Sequence, residues 1–234
     1  QCTAGTDYQD ESGQASCKSC GSCGEGEKRT SACTTGANVV CGACGTGHFQ
    51  DGTSHLSDAC KGCPAGWKQG SGGQASCNPC ATGTFQNQGS ASACDSCIVG
   101  EFQDGTGTTA CKACPAGWAI GTEGNAACSP CSTASTWQDE GGKASCKACS
   151  SCGVGEERTG TCSTKVNTAC GHCTAGLYHD SASHVHDDCK QCPTGWHQGG
   201  EGQSECELCP AGQAMDAEGS ASCASCPSAR WQNA

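Results

Sequence analysis

Residues 60–80 read Cys60-Lys61-Gly62-Cys63-Pro64-Ala65-Gly66-Trp67-Lys68-Gln69-Gly70-Ser71-Gly72-Gly73-Gln74-Ala75-Ser76-Cys77-Asn78-Pro79-Cys80. Trp67 is the one large apolar side chain between the two Cys-x-x-Cys pairs. A segment so poor in apolar side chains cannot bury a core of its own, so its fold turns on what the cysteines do. Gly66 suits a turn at positive φ, and Pro64 pre-sets φ ahead of it. Gly72-Gly73 marks a second bend, where a short hairpin returns.

The unit recurs. Cys97-Ile98-Val99-Gly100-Glu101-Phe102-Gln103 runs to Cys111, Cys114-Pro115-Ala116-Gly117-Trp118 to Cys128, and Cys192-Pro193-Thr194-Gly195-Trp196 to Cys206. Gly83, Gly176 and Gly212 stand where Gly66 does, and Pro115, Pro193 and Pro210 where Pro64 does. Asp51-Gly52, Asp104-Gly105 and Gly141-Gly142 are read as further second bends. No helical period of useful length is present, so short irregular strands and turns are expected. An aromatic follows the first cysteine in most units: Tyr8, Phe49, Trp67, Phe85, Phe102, Trp118, Trp137, Tyr178, Trp196 and Trp231. Each ring is expected to pack on its own disulfide as the module's core. The alternative is a ladder of exposed rings for carbohydrate or a neighbouring rod.

A longer period lies over the short one. Cys2, Cys17, Cys20, Cys23, Cys33, Cys41 and Cys44 recur, at a constant offset, as Cys131, Cys146, Cys149, Cys152, Cys162, Cys170 and Cys173. Gln9-Asp10-Glu11 matches Gln138-Asp139-Glu140, and Arg29-Thr30 matches Arg158-Thr159. The expected fold class is therefore small disulfide-rich repeats. They would form an elongated rod of short β-hairpin modules with little regular secondary structure, each module touching only its neighbours.

Composition narrows the function. The chain has 29 cysteines and 36 glycines in 234 residues, 4% aromatics and a formal net charge of −11. Cysteine above roughly 8–10% marks a disulfide scaffold where low hydrophobicity would otherwise mean disorder. That density points to an extracellular or cell-surface location. No Lys/Arg cluster offers phosphates a counter-charge, which excludes nucleic acid. No apolar run is long enough to insert in a membrane. No Asn-x-Ser/Thr sequon is present, while Ser and Thr permit O-linked glycans. No catalytic constellation stands out, so neither an enzyme nor a cofactor is expected.

If each simple module closes on itself, the pairs are Cys44–Cys60, Cys63–Cys77, Cys80–Cys94, Cys97–Cys111, Cys114–Cys128, Cys131–Cys146, Cys173–Cys189, Cys192–Cys206 and Cys209–Cys223. Spacing alone does not fix connectivity. Cys226 is then left over, and its partner is expected past residue 234, the chain being a window on a longer array. Zinc is the rival reading, since Cys60, Cys63, Cys77 and Cys80 approach zinc-ribbon spacing. His179, His184, His186 and Asp187 are weak candidates for a transition-metal site. The reading preferred is no metal, with these residues in a solvated polar loop.

Residues 2–41 carry the signature C-x14-C-x2-C-x2-C-x9-C-x7-C. It resembles a complete cysteine-rich domain of the tumour necrosis factor receptor family. The resemblance implies pairs Cys2–Cys17, Cys20–Cys33 and Cys23–Cys41, and in the repeat Cys131–Cys146, Cys149–Cys162 and Cys152–Cys170. The simple modules look like ephrin-receptor-like repeats, which are abundant in long extracellular proteins of protists and algae. The domains expected are a receptor-like cysteine-rich domain at 1–41, five ephrin-receptor-like modules at 42–129, a second receptor-like domain at 130–170 and further modules at 171–234, the last truncated. The resulting expectation is a non-enzymatic component of an extracellular fibre, flagellar hair (mastigoneme-like) or surface coat. Its partners would be copies of itself or other fibre proteins. The alternative is a ligand-binding receptor ectodomain or protist surface antigen.

Overall fold

A computed structural model describes residues 1–185 and 188–226. They hold no helix and 24 short strands, nearly all of two residues, in two-stranded sheets of consecutive strands. The chain divides into two compact units. One comprises residues 1–114, 120–129 and 142–144; the other comprises 115–119, 130–141 and 145 onward.

Every simple module is built alike. Its first cysteine leads into a glycine turn, then a two-residue strand, a polar loop, the closing cysteine and a returning strand. Trp67–Lys68 pairs with Asn78–Pro79 in this way, and Glu101–Phe102 with Lys112–Ala113. The turn glycines do take positive φ: +85° at Gly66, +77° at Gly83 and +82° at Gly100. Of the expected second bends, Gly72-Gly73 and Gly141-Gly142 take positive φ at Gly73 and Gly142 (+70° in both), while in the Asp104-Gly105 loop it falls at Gly107, two residues on.

Among the described residues 14 disulfides are formed. The simple modules are closed by Cys44–Cys60, Cys63–Cys77, Cys80–Cys94, Cys97–Cys111, Cys114–Cys128, Cys173–Cys189, Cys192–Cys206 and Cys209–Cys223. Residues 2–41 and 131–170 each hold one simple loop and two interleaved bridges. In both, a longer hairpin follows: Glu27–Ser31 with Val40–Ala43, and Glu156–Gly160 with Ala169–His172. The register shifts at the same place in each, between Arg29 and Ser31 and between Arg158 and Gly160.

Backbone hydrogen bonds join each module to the next. Between modules 80–94 and 97–111, Gly83 N–H donates to Gln103 O (2.7 Å) and Gln86 N–H to Thr108 O (3.1 Å). In return, Gly107 N–H donates to Cys80 O (2.8 Å) and Cys97 N–H to Gly83 O (2.9 Å). These bonds satisfy backbone groups that a two-residue hairpin leaves open.

Contact also reaches one module further, which corrects the nearest-neighbour expectation. A Cβ at Gly26 would run into the carbonyl of Gly73, one at Gly66 into Gly107, one at Gly83 into Gly124 and one at Gly100 into Gly142. In the second unit Gly155 meets Gly202, and Gly176 meets Gly219, in the same manner. These six turn glycines are thus held by their φ and by a backbone two modules ahead.

The core also differs from the aromatic reading. The first cysteines of the modules carry it: Cys44, Cys63, Cys80, Cys97, Cys114, Cys173 and Cys192 are at most 2% exposed. Trp67, Trp118 and Trp196 are exposed: each is the first residue of its strand, one place before the position that Phe49, Phe85 and Phe102 hold, and so faces the other side. Phe49, Phe85, Phe102, Trp137 and Tyr178 are half-buried. Trp231 lies outside the described residues.

Glutamine takes the remaining buried place. Gln50, Gln69, Gln86, Gln103, Gln138 and Gln198 are buried one after another along the chain. Gln103 Nε2 donates to Ala110 O (2.6 Å), and its Oε1 accepts from Gly105 N–H (3.0 Å). The side chain thereby closes its own loop, while its backbone bonds Gly83 behind and Asn125 ahead. Gln103→Ala would remove the partner of two backbone groups, the half-buried Gly105 N–H and the exposed Ala110 O, and is expected to destabilise its module by about 1 kcal/mol. Loss of amide protection at Gly105 and Gly83, with the rest of the chain unchanged, is the outcome to look for.

Candidate functional site

Two features recur with enough regularity to act as sites. The first joins each three-bridge domain to the module that follows it. Cys23 and His55 exchange backbone hydrogen bonds (2.9 and 3.0 Å), and His55 Nε2 lies 3.1 Å from Gly24 O. Arg29 grips Asp58 with both Nε and Nη2, at 2.5 and 2.8 Å. The pair holds the Asp58 carboxyl below its ordinary range through this hydrogen bond, and raises Arg29. Ser22 and Ser54 hydroxyls meet at 2.8 Å. Leu56, between His55 and Ser57, is left 49% exposed at the tip.

The second copy repeats the joint. Cys152 and His184 exchange backbone bonds at 2.9 and 3.1 Å, His184 Nε2 lies 3.1 Å from Gly153 O, and Ser183 meets Ser151 at 2.8 Å. Val185 is 58% exposed in the place of Leu56. Among the substitutions between the copies, His179 replaces Gln50. Its ring stacks on His184 with centroids 3.5 Å apart and planes 10° from parallel.

The second feature is a surface triad. An aromatic, an Asp two residues later and a Lys after the closing cysteine converge in five modules. The ion pairs are Lys18–Asp10, Lys61–Asp51, Lys112–Asp104, Lys147–Asp139 and Lys190–Asp180, at 2.5–2.8 Å. Each ammonium also stands over a ring, of Tyr8, Phe49, Phe102, Trp137 and Tyr178 respectively, at 4.6–5.9 Å from its centroid. The lysine hydrogen bonds hold Asp10, Asp51, Asp104 and Asp180 below the usual carboxylate range. These pairs are exposed and screened, so they align the hairpin surface more than they stabilise it. They also consume most of the chain's lysines, leaving much of the acidic excess uncompensated.

The cysteines that a zinc ribbon would need, Cys60, Cys63, Cys77 and Cys80, are all in disulfides. Cys226 is exposed and has no disulfide partner among the described residues. His186 and Asp187, two of the weak metal candidates, lie outside the described residues. The other two are not in a solvated loop: His179 is 3% and His184 6% exposed. Imidazole lone pairs lie in the ring plane, so an ion between two stacked, near-parallel rings would sit far out of both planes. In the sequence these two histidines stand in a module whose first-copy equivalent keeps, of the four candidates, only His55 and Asp58. Their burial had no signal in a polar stretch rich in His, Asp and Ser.

Residues 2–41 match the family model for the TNFR/NGFR cysteine-rich region. Residues 68–109 match that for tyrosine-protein kinase ephrin type A/B receptor-like segments. No curated protein matches the chain significantly. Among solved structures, a mouse RANKL–OPG complex matches at 18% identity over 79% of this chain and 98% of the other, with a TM-score of 0.23. A human RANKL/OPG complex matches at 22% identity over 71% of this chain and 98% of the other, also at 0.23. These superpositions are too loose to align individual residues. Both family models describe receptor-type cysteine-rich regions rather than enzymes, although one takes its name from a kinase. Such regions are typical of extracellular and cell-surface proteins, and among the described residues no helix is long and apolar enough to cross a membrane. The chain is thus built of tandem disulfide modules, of which residues 2–41 are similar to the TNFR/NGFR cysteine-rich region and residues 68–109 to ephrin receptor-like segments.

Proposed function

We propose that the chain is a receptor-like ectodomain that binds a protein partner without catalysis. One observation carries this reading. The three-bridge domain at 2–41, which matches the TNFR/NGFR region, clips to its following module so as to lift Leu56 into solvent, and the second copy lifts Val185. An exposed aliphatic tip on a covalently held base, beside the bidentate Arg29–Asp58 pair, is suited to recognition with little ordering cost. The partner favoured by the charge balance is basic.

A second reading has its own support. The two copies of the joint share their geometry: imidazole Nε2 to glycine O is 3.1 Å in both, and the serine hydroxyls meet at 2.8 Å in both. A component of a periodic extracellular fibre would repeat itself in this way. Sedimentation and negative-stain micrographs of the disulfide-intact chain separate the two. The receptor reading expects monodisperse chains at all concentrations and saturable binding to intact cells, lost in Leu56→Asp/Val185→Asp. Concentration-dependent filaments that persist in that variant would replace it with the fibre reading.

A further inference from the structure

We propose that the stacked His179–His184 pair makes the joint between residues 149–170 and module 173–189 acid-sensitive, so that it loosens below neutral pH while its counterpart at 20–60 stays closed.

The geometry sets the protonation states. Gly153 O can only accept, so the His184 Nε2 beside it at 3.1 Å carries a proton. His179 Nδ1 accepts from Ser181 N–H at 3.3 Å, so that nitrogen carries none. A proton arriving at His179 Nδ1 must break the Ser181 bond. It would also place a cation in a site 3% exposed, face to face with a second imidazole at 3.5 Å. Burial disfavours a first such charge, and once one ring is an imidazolium the like-charged neighbour disfavours a second.

The groups around the pair bear on the balance. Asp180 is adjacent to His179 but already holds Lys190 at 2.5 Å. Glu156, on the facing strand Glu156–Gly160, accepts from Gly153 N–H at 2.8 Å. Arg158 lies on the same strand, His172 lines Gly202 of the next module, and Asp188 is exposed. His186 and Asp187, in the same loop, lie outside the described residues. Asp180 and Glu156 favour a single imidazolium. Neither separates the rings, so a second proton finds no room in the closed stack.

The opened joint therefore binds more protons than the closed one. Closed-state stability is complete above the ordinary imidazole range and falls as pH drops through it, around 6.5. The first copy lacks the device. Gln50 fills the place of His179, with Nε2 donating to Ala59 O (3.4 Å) and Oε1 accepting from Gly52 N–H (3.4 Å), and an amide does not titrate there. His55 keeps its bonds to Gly24 O and Ser57 N–H, both at 3.1 Å, without a stacking imidazole.

Matched amides in the whole disulfide-intact chain test this. Gly155 N–H bonds His179 O, and His179 N–H bonds Gln203 O; Gly26 N–H bonds Gln50 O, and Gln50 N–H bonds Gln74 O. Protection factors at Gly155 and His179 are expected to fall about tenfold or more between about pH 7.5 and about pH 5, corresponding to uptake of about one proton across the transition. Gly26 and Gln50 should stay within about twofold over the same range. His179→Gln, which copies the first joint, should abolish the difference. Imidazole resonances of the unaltered chain supply a second readout, with ring titration and loss of protection sharing one midpoint. Rings that titrate while Gly155 stays protected would overturn the proposal. So would a His179→Gln chain that still loosens in acid.

Discussion

Gly83→Ala is expected to loosen the modules from 80 to 128 while leaving the rest of the chain intact. Two costs add at this position. Its φ of +77° is strained for any residue with a Cβ, by about 1–2 kcal/mol. The new methyl would also press into the backbone carbonyl of Gly124, two modules ahead, which cannot turn aside as a side chain would. Overpacking of that kind typically costs a further ~1–3 kcal/mol. Gly5→Ala provides the comparison, with φ +86° and nothing within 4 Å of the added Cβ. The second copy already carries alanine there, as Ala134 at φ +65°. Hydrogen exchange with disulfides intact should show lost protection at Gly107 and Gly124 in the Gly83 variant and almost none in the Gly5 variant. Equal effects would mean that the second-neighbour contact contributes nothing.

Removing the Cys80–Cys94 bridge by a double alanine substitution should cost about 3 kcal/mol from the freed loop alone. More is lost here, because Cys80 is fully buried and its sulfur is core material. Few other apolar side chains stand ready to fill the space: beyond the cysteines, Ala119 is the one buried hydrophobic among the described residues. The loss should spread to Gly66 and Gly107, whose backbone bonds run to Gln86 and Cys80. Removing Cys2–Cys17 should do less, since Cys17 is exposed and Cys2 half-buried. Thermal melts of the two variants without reductant measure the contrast, and equal shifts would show that the sulfurs do not act as a core.

Much of this architecture is legible in the sequence, for physical reasons. Cysteine density in an apolar-poor chain leaves one class of fold, and glycine at the fourth position of each module announces a positive φ that Gly66, Gly83 and Gly100 adopt. Three things were hidden. The second-neighbour contacts are not legible because a turn alone already accounts for the glycine. Gln103 and its counterparts are polar, and hydropathy assigns such residues to the surface; their burial follows from two backbone bonds that appear only once the loop is closed. The aromatics misled in the other direction. A ring suggests a core, yet Trp67 is the first residue of its two-residue strand, one place before the position of Phe49 and Phe102, and so lies on the opposite face.

The glycine contacts also set an order of assembly. Gly66 meets its partner only at Gly107, and Gly26 only at Gly73, each with a whole module lying between. During synthesis a module can oxidise its own disulfide and pair with its successor, yet it still lacks one face until two more modules have left the ribosome. The growing end therefore always presents an unfinished glycine ridge to the folding machinery. Inserting or deleting one whole simple module would re-pair each ridge with an equivalent glycine, as the successive contacts Gly66–Gly107, Gly83–Gly124 and Gly100–Gly142 repeat one another. Length changes are therefore expected to be tolerated in whole modules and not in parts of one.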